Sequence, residues 1–393
     1  MWGCRVSSVE SVRFKCLRKL TLIYVKVDDG TLGTITSGCP LLRSLVIESC
    51  LELRNVMLSE VALPELKHFD LESYEWREEC SIVIHALNLQ TICIKGPWIW
   101  SNCQSTFLFS RLTSVNLSDV IMLSELFDLL SFGCPILESL TLDNCLGFEE
   151  FHLANDSVKY LRISTGDDWL KEVRICAPNI VSFDFTANIP QAPPDIFSFT
   201  TTTSKEWYSN VILSSGEKHH DFDANWWFLK LRRMLKTLSG SQISLTLQMD
   251  EDPQNVPCSS VVSDEPPVVV RDLDFTTCKR RTMSWYSEFT NYLFRFCRPS
   301  HVYGCRLVSE SAKNYRLSKF QFNILLAKMS LRTEPCFWQH DLEQVFVESF
   351  DGQQWQLMQW TKMGKLRKRK QDRMIRLRLK WRFKNVSNGL MVV

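Results

Sequence analysis

Catalysis needs nucleophiles, acids, bases or phosphate loops at set spacings, and this chain offers few. It has no G-x-x-x-x-G-K-[ST], G-x-G-x-x-G or G-x-S-x-G stretch, and His85, His152 and His301 stand in no recognisable catalytic context. The pair His219-His220 has no cysteine or histidine partner at metal-ligand spacing, and none of the 15 cysteines forms a C-x-x-C pair, so neither a zinc site nor any other metal or cofactor is expected. An odd number of cysteines, several of them beside leucines, reads as reduced, packed thiols. Trp98, Trp100, Trp226 and Trp227 could line a ligand pocket, although such residues more often fill cores or anchor loops. An enzyme is therefore not expected, and the chemistry left is recognition by polar and charged side chains.

Those side chains are set by a repeat. In residues 133–145, GCPILESLTLDNC, Leu137, Leu140 and Leu142 follow the order L-x-x-L-x-L, and Cys145 comes three positions later. Residues 38–50, GCPLLRSLVIESC, repeat the pattern with Leu42, Leu45, Ile47 and Cys50. The same register runs through Leu17, Leu20 and Leu22; Leu66, Phe69 and Leu71; Leu89, Ile92 and Ile94; Leu112, Val115 and Leu117; Val158, Leu161 and Ile163; and Ile180, Phe183 and Phe185. Successive starts lie 25, 24, 23, 23, 25, 21 and 22 residues apart, within the leucine-rich-repeat range. Each segment is a short strand that cannot bury its own leucines, so neighbouring copies must stack.

The fold class expected is an α/β leucine-rich-repeat solenoid: a horseshoe with a parallel concave sheet, an irregular or helical convex side, and insertions in the C-terminal half. Residues 28–37 and 124–132 read as outer helices stopped by Gly38-Cys39-Pro40 and Gly133-Cys134-Pro135, while residues 73–86 read as looser. The division expected is 1–187 for the repeats, 188–268 for an insertion with a helix, a strand and an acidic proline-rich loop, 269–361 for further repeat-like units and helices, and 362–393 for a basic tail. Within these, 223–238 and 283–296 read as helices and 243–247 as a strand, Val270, Leu273, Phe275 and Cys278 restore the repeat, and Leu342, Val345 and Val347 mark another strand. From Ile375 to Phe383 apolar residues alternate with cations, predicting a strand with one basic face that caps the last repeat.

Residues that flank the third apolar position point away from the core. Asp70, Glu72, Lys95, Asn116, Ser118, Asp143, Arg162 and Asp184 accordingly form a mostly acidic candidate protein-contact column, suited to a partner of basic or mixed charge; the plain alternative is a solvated sheet face. The net charge of +2 hides a division, because residues 362–384 hold twelve cations against Asp372 alone and leave the remainder acidic. Lys365, Arg367, Lys368, Arg369 and Lys370 read either as a nuclear localisation signal, as a phosphate-binding patch, or as a solvated loop. A lone short patch on an acidic body argues against nucleic acid as a partner. No run of eighteen uncharged apolar residues appears and the N-terminus is basic, so no membrane association and a cytoplasmic or nuclear location are expected.

Residues 38–50 and 133–145, together with WWFLKLRRMLKTLSGSQISLTL at 226–247 and FWQHDLEQVFVESFDG at 337–352, resemble the plant F-box/leucine-rich-repeat proteins. That resemblance implies a non-catalytic substrate receptor of a cullin-type (SCF) ubiquitin ligase, in which an F-box docks on a Skp-type adaptor and the repeats capture the protein target. Residues 1–16 are too few for an F-box, so the adaptor is expected as a partner only where an F-box lies upstream. The alternatives are an F-box-less scaffold or competitor for the same targets, and a nuclear or nucleic-acid-associated binder acting through the basic tail.

Overall fold

The structure, a computed structural model, describes residues 14–73, 80–101, 108–165, 170–189, 193–202, 206–215, 224–248, 266–276, 283–303, 337–350, 352–358 and 375–382. The chain forms two compact units, Met1–Ser209 and Asn210–Val393.

In chain order the first unit contains β1 (Lys19–Ile23), α1 (Asp29–Ser37), β2 (Ser44–Glu48), β3 (Asn55–Leu58), β4 (His68–Glu72), β5 (Ser81–Ile84), β6 (Thr91–Lys95), β7 (Ile99–Ser101) and β8 (Ser114–Ser118). It continues through α2 (Ser124–Asp128), β9 (Ser139–Asp143), β10 (Glu150–Ala154), β11 (Tyr160–Ser164), β12 (Glu172–Cys176), β13 (Ser182–Ile189) and β14 (Ile196–Thr200). β1, β2, β4, β6, β8, β9, β11 and β13 pair in that order, all parallel. Their register aligns the eight apolar triplets: Leu45 faces Phe69, then Ile92, Val115, Leu140, Leu161 and Phe183, and Ile47 begins the second row through Leu71, Ile94, Leu117, Leu142, Ile163 and Phe185. From the second repeat onward all of these side chains are buried. Burying one such side chain stabilises by about 1.5 to 3 kcal/mol, so the stacked rows carry the unit and no single repeat could stand alone.

A backbone device ends five strands of this sheet, β1, β2, β6, β8 and β9, in the same way. Tyr24, Ser49, Asp119 and Asn144, directly after their strands, hold φ of 53°, 48°, 58° and 51°, and Gly96 holds 116° at the equivalent place. Each turns the chain out of the sheet while its N–H still reaches the next repeat: Tyr24 donates to the Glu48 carbonyl at 3.0 Å, Ser49 to Glu72 at 2.7 Å, Gly96 to Ser118 at 2.8 Å, Asp119 to Asp143 at 2.9 Å and Asn144 to Ser164 at 2.7 Å. Glycine is required at 96, because a Cβ there would lie 1.6 Å from the Ser73 carbonyl oxygen. The consensus cysteines follow. Cys50 Sγ donates to the Leu22 carbonyl and Cys145 Sγ to the Leu117 carbonyl, both at 3.5 Å, tying each turn to the previous strand. Burial pushes the Cys145 thiol up to about 12, so it remains a protonated donor.

The second layer differs from the expectation of an irregular or helical wall. α1 is present, its first turn capped by Asp28, whose Oδ1 accepts the Thr31 N–H at 2.7 Å. The helix expected over 124–132 is shorter: α2 gives way to a π-turn at Leu129–Gly133, which buries Leu129 and Leu130 and leaves Phe132 69% exposed. Elsewhere the layer is β. β3, β5 and β7 form one parallel three-stranded sheet, and β10, β12 and β14 another. The physical reason is alternation: Val56 and Leu58, Ile82 and Ile84, Phe151 and Leu153, and Val173 and Ile175 are buried, while the residues between them face outward.

β15 (Tyr208–Ser215) begins in the first unit and ends in the second. The second unit contains α3 (Ala224–Thr237), β16 (Gln242–Gln248), β17 (Val268–Thr276), α4 (Met283–Phe296), β18 (Cys297–Tyr303), β19 (Leu342–Phe350), β20 (Trp355–Leu357) and β21 (Ile375–Trp381). β16, β17 and β18 are parallel. β21 then inserts antiparallel between β18 and β19, so the alternating C-terminal strand is an interior strand and not a cap. Phe228 of α3 meets Phe289 and Tyr292 of α4 at ring separations of 5.6 and 5.4 Å, which joins the two helices over the sheet. Among the described residues no helix is long and apolar enough to cross a membrane.

Candidate functional site

The outward face of the parallel sheet in the first unit is built by simple alternation. Alternating with the buried rows run two outward columns, one between the rows and one beyond the second. One runs Thr21, Val46, Asp70, Cys93, Asn116, Thr141, Arg162, Asp184; the other runs Ile23, Glu48, Glu72, Lys95, Ser118, Asp143, Ser164, Thr186. All eight residues expected as a contact column are therefore on one face, but in two parallel files: Asp70, Asn116, Arg162 and Asp184 in the first, Glu72, Lys95, Ser118 and Asp143 in the second.

The two cations are committed to neighbours. Lys95 Nζ donates to Glu72 Oε2 at 2.9 Å, and Arg162 Nη2 to Asp184 Oδ2 at 3.2 Å, each pair facing its partner directly across adjacent strands. Asn116 Nδ2 reaches Cys93 Sγ at 3.7 Å, and Ser118 donates to Asp119, whose other carboxylate oxygen accepts from Asn144 at 2.5 Å. Burial, and then the charge of Asp70, push the Cys93 thiol up to about 11, so the column holds a neutral thiol. Counting Glu48, which the sequence reading omitted, five carboxylates share the two files with two cations, and the face keeps an acidic excess. Glu48 was legible: it occupies the position after Ile47 that Glu72 occupies after Leu71. Such a face can bind by charge and hydrogen bonding.

The remaining sequence candidates separate. Trp98, Trp100 and Trp227 are buried core residues, and the side chain of Trp226 lies outside the described residues, as do His219-His220 and the cations Lys365, Arg367, Lys368, Arg369 and Lys370. His152 stands in a groove of about 820 Å³ between the α2 turn and the outward face of β10, β12 and β14. There Glu172 accepts from Arg174 and lies 3.0 Å from His152 Nε2, and these partners, Arg174 foremost, hold its carboxyl below the usual range. Among the described residues no group of three or more His, Cys, Asp or Glu side chains is placed to hold a metal ion.

The comparisons agree with this geometry. Residues 1–106 match the family described as "FBD-associated F-box protein At5g56370, LRR repeats". The "Probable F-box protein At1g60180" of Arabidopsis thaliana is 29% identical over 152 residues, which is 35% of this chain and 47% of that protein, so the match spans about half the length of that relative. No solved structure matches the chain. The repeats at residues 1–106 are thus similar to the leucine-rich repeats of F-box proteins.

Proposed function

We propose that this chain is a protein-binding leucine-rich-repeat module that recognises the target of a cullin-type ubiquitin ligase, and that the two outward files of the first unit are its contact surface. The observation that carries the reading is the register: polar side chains from eight neighbouring strands share one face, while from the second repeat onward the inward residues that alternate with them are buried. The similarity to the leucine-rich repeats of F-box proteins supports a role in protein interaction, and the F-box of such proteins suggests the link to ubiquitin ligases through a Skp-type adaptor. An acidic surface selects a partner with basic or mixed charge at the contact. Charge reversal of Asp70, Asp143 and Asp184 to lysine tests this. Each is on the surface, so the sheet should keep its fold, and partner capture should fall sharply; unchanged capture would remove the columns as the contact.

A further inference from the structure

The margin where the strands of the first unit begin carries the opposite charge from the files described above. The residue just before each strand is Arg18, Arg43, Lys67, Gln90, Thr113, Glu138, Lys159 and Val181 in successive repeats. These stack as rungs. The Arg18 carbonyl accepts from the N–H groups of Arg43 and Ser44 at 2.8 and 3.0 Å, the Arg43 carbonyl from Lys67 and His68 at 2.9 and 3.0 Å, and the Lys67 carbonyl from Gln90 and Thr91 at 2.7 and 3.0 Å. Three cations therefore follow one another at the strand spacing of about 4.8 Å. The next column adds Lys19 and His68, in register through Ser44.

This cluster is neutralised far less than the others. Lys95, Arg162 and Lys159 each hold a carboxylate at 2.5 to 3.2 Å. At the margin, among the described residues, the one ion pair joins Arg43 to Glu65 at 3.8 Å, with both side chains nearly half exposed. Arg18 and Lys19 are exposed, and His68 Nδ1 meets the Thr91 hydroxyl at 2.8 Å and not a carboxylate. Stacked like charges without carboxylate partners repel one another, and an anionic ligand relieves that repulsion. The positive margin is confined to the first three repeats, because the rungs beyond are Gln90, Thr113, the pair Glu138 and Lys159, and Val181.

We infer that the strand-entry margin formed by Arg18, Lys19, Arg43, Lys67 and His68 docks an acidic segment of a protein partner. The inference rests on the reading that the strand face binds protein, and gives that partner an orientation: acidic residues against the strand starts of the first three repeats, basic residues against the acidic files. A protein segment fits better than a nucleic acid, because a polyphosphate continuing from the basic margin along the strands would meet Glu48 on β2 and Asp70 and Glu72 on β4, two of the same three strands.

The test uses the full chain and a fluorescein-labelled peptide of alternating Glu and Gly, followed by anisotropy at low ionic strength. Arg18→Glu/Arg43→Glu/Lys67→Glu should weaken binding by roughly tenfold or more. Lys159→Glu/Lys171→Glu/Arg174→Glu changes net charge equally at sites already paired, and should leave binding within about twofold. Circular dichroism checks the fold, and the neutral Arg18→Gln/Arg43→Gln/Lys67→Gln set gives an intermediate loss should the reversal set not fold. Equal loss in both reversal sets, no loss in the margin set, or tighter margin-dependent binding of a single-stranded oligonucleotide would each overturn the proposal. Peptide binding kept by the margin variant, with capture lost in the Asp70/Asp143/Asp184 variant, removes the margin alone; both kept removes the parent reading as well.

Discussion

Gly96→Ala probes the strand-exit device on which both outward files depend. At φ 116° an alanine is strained, and its Cβ would meet the Ser73 carbonyl oxygen at 1.6 Å and carbon at 2.8 Å, both backbone atoms that cannot rotate away. Holding a non-glycine residue in such a region costs about 1 to 3 kcal/mol. The chain must also separate here, which strains the bonds from Gly96 N–H to Ser118 at 2.8 Å and from Ser73 N–H to Lys95 at 2.9 Å. Each contributes about 1 kcal/mol, so the expected loss is about 3 to 5 kcal/mol. For a unit of this size that lowers the melting temperature by roughly 10 °C, read by calorimetry or by circular dichroism. Gly33→Ala is the internal control. That glycine is exposed within α1, and an added Cβ would meet nothing within 4 Å. There alanine should stabilise by about 0.4 to 1 kcal/mol. If Gly96→Ala melted within a degree of the parent, or both changes acted alike, the left-handed exit would not be structural and the reasoning would fail.

Other consequences follow from the same rows. Leu140→Ala empties a fully buried site between Val115 and Leu161 and should cost about 2 to 5 kcal/mol in urea unfolding. Burial raises Cys134 and Cys145 to about 12 from an ordinary thiol value of 9, so the unfolded chain loses these protons before the folded one. The first unit should therefore keep its stability below pH 9 and lose it between pH 9 and 12, by up to about 1.4 kcal/mol per pH unit for each thiol; unfolding curves at pH 8 and pH 10 that superimpose would refute this. The same burial predicts that iodoacetamide labels the exposed Cys16 and Cys176 on the native protein well before Cys134 or Cys145, as peptide mapping would read out.

Much of the first unit could be read from its leucines, since L-x-x-L-x-L fixes both the period of the solenoid and the inward face of each strand. The helix over 283–296 was equally legible, as α4 carries its apolar residues at helical spacing. The second layer was harder. β3 and β5 are only four residues long, and a run such as Asn55-Val56-Met57-Leu58 is too short to separate from a turn until a parallel neighbour supplies its hydrogen bonds. α2 was overextended because Leu126, Leu129 and Leu130 fit an ordinary helix, and the π-turn that exposes Phe132 depends on packing rather than periodicity.

For the site, membership of the outward face followed from alternation alone. The pairings did not. Which cations are already satisfied depends on cross-strand register, and that register sets Lys95 against Glu72 and Arg162 against Asp184. The basic margin is not marked by the residues between the leucines, because it lies at the position before the strand. Aligning Arg18, Arg43 and Lys67 on their repeats recovers it.

The most direct measurement of the central claim is quantitative affinity capture from plant-cell extract with the parent chain and its Asp70→Lys/Asp143→Lys/Asp184→Lys variant side by side, both verified as folded. Proteins enriched by the parent and lost on the variant are the predicted result. A captured set that is the same for both would contradict the assignment of the outward files as the surface through which this chain recognises its partner.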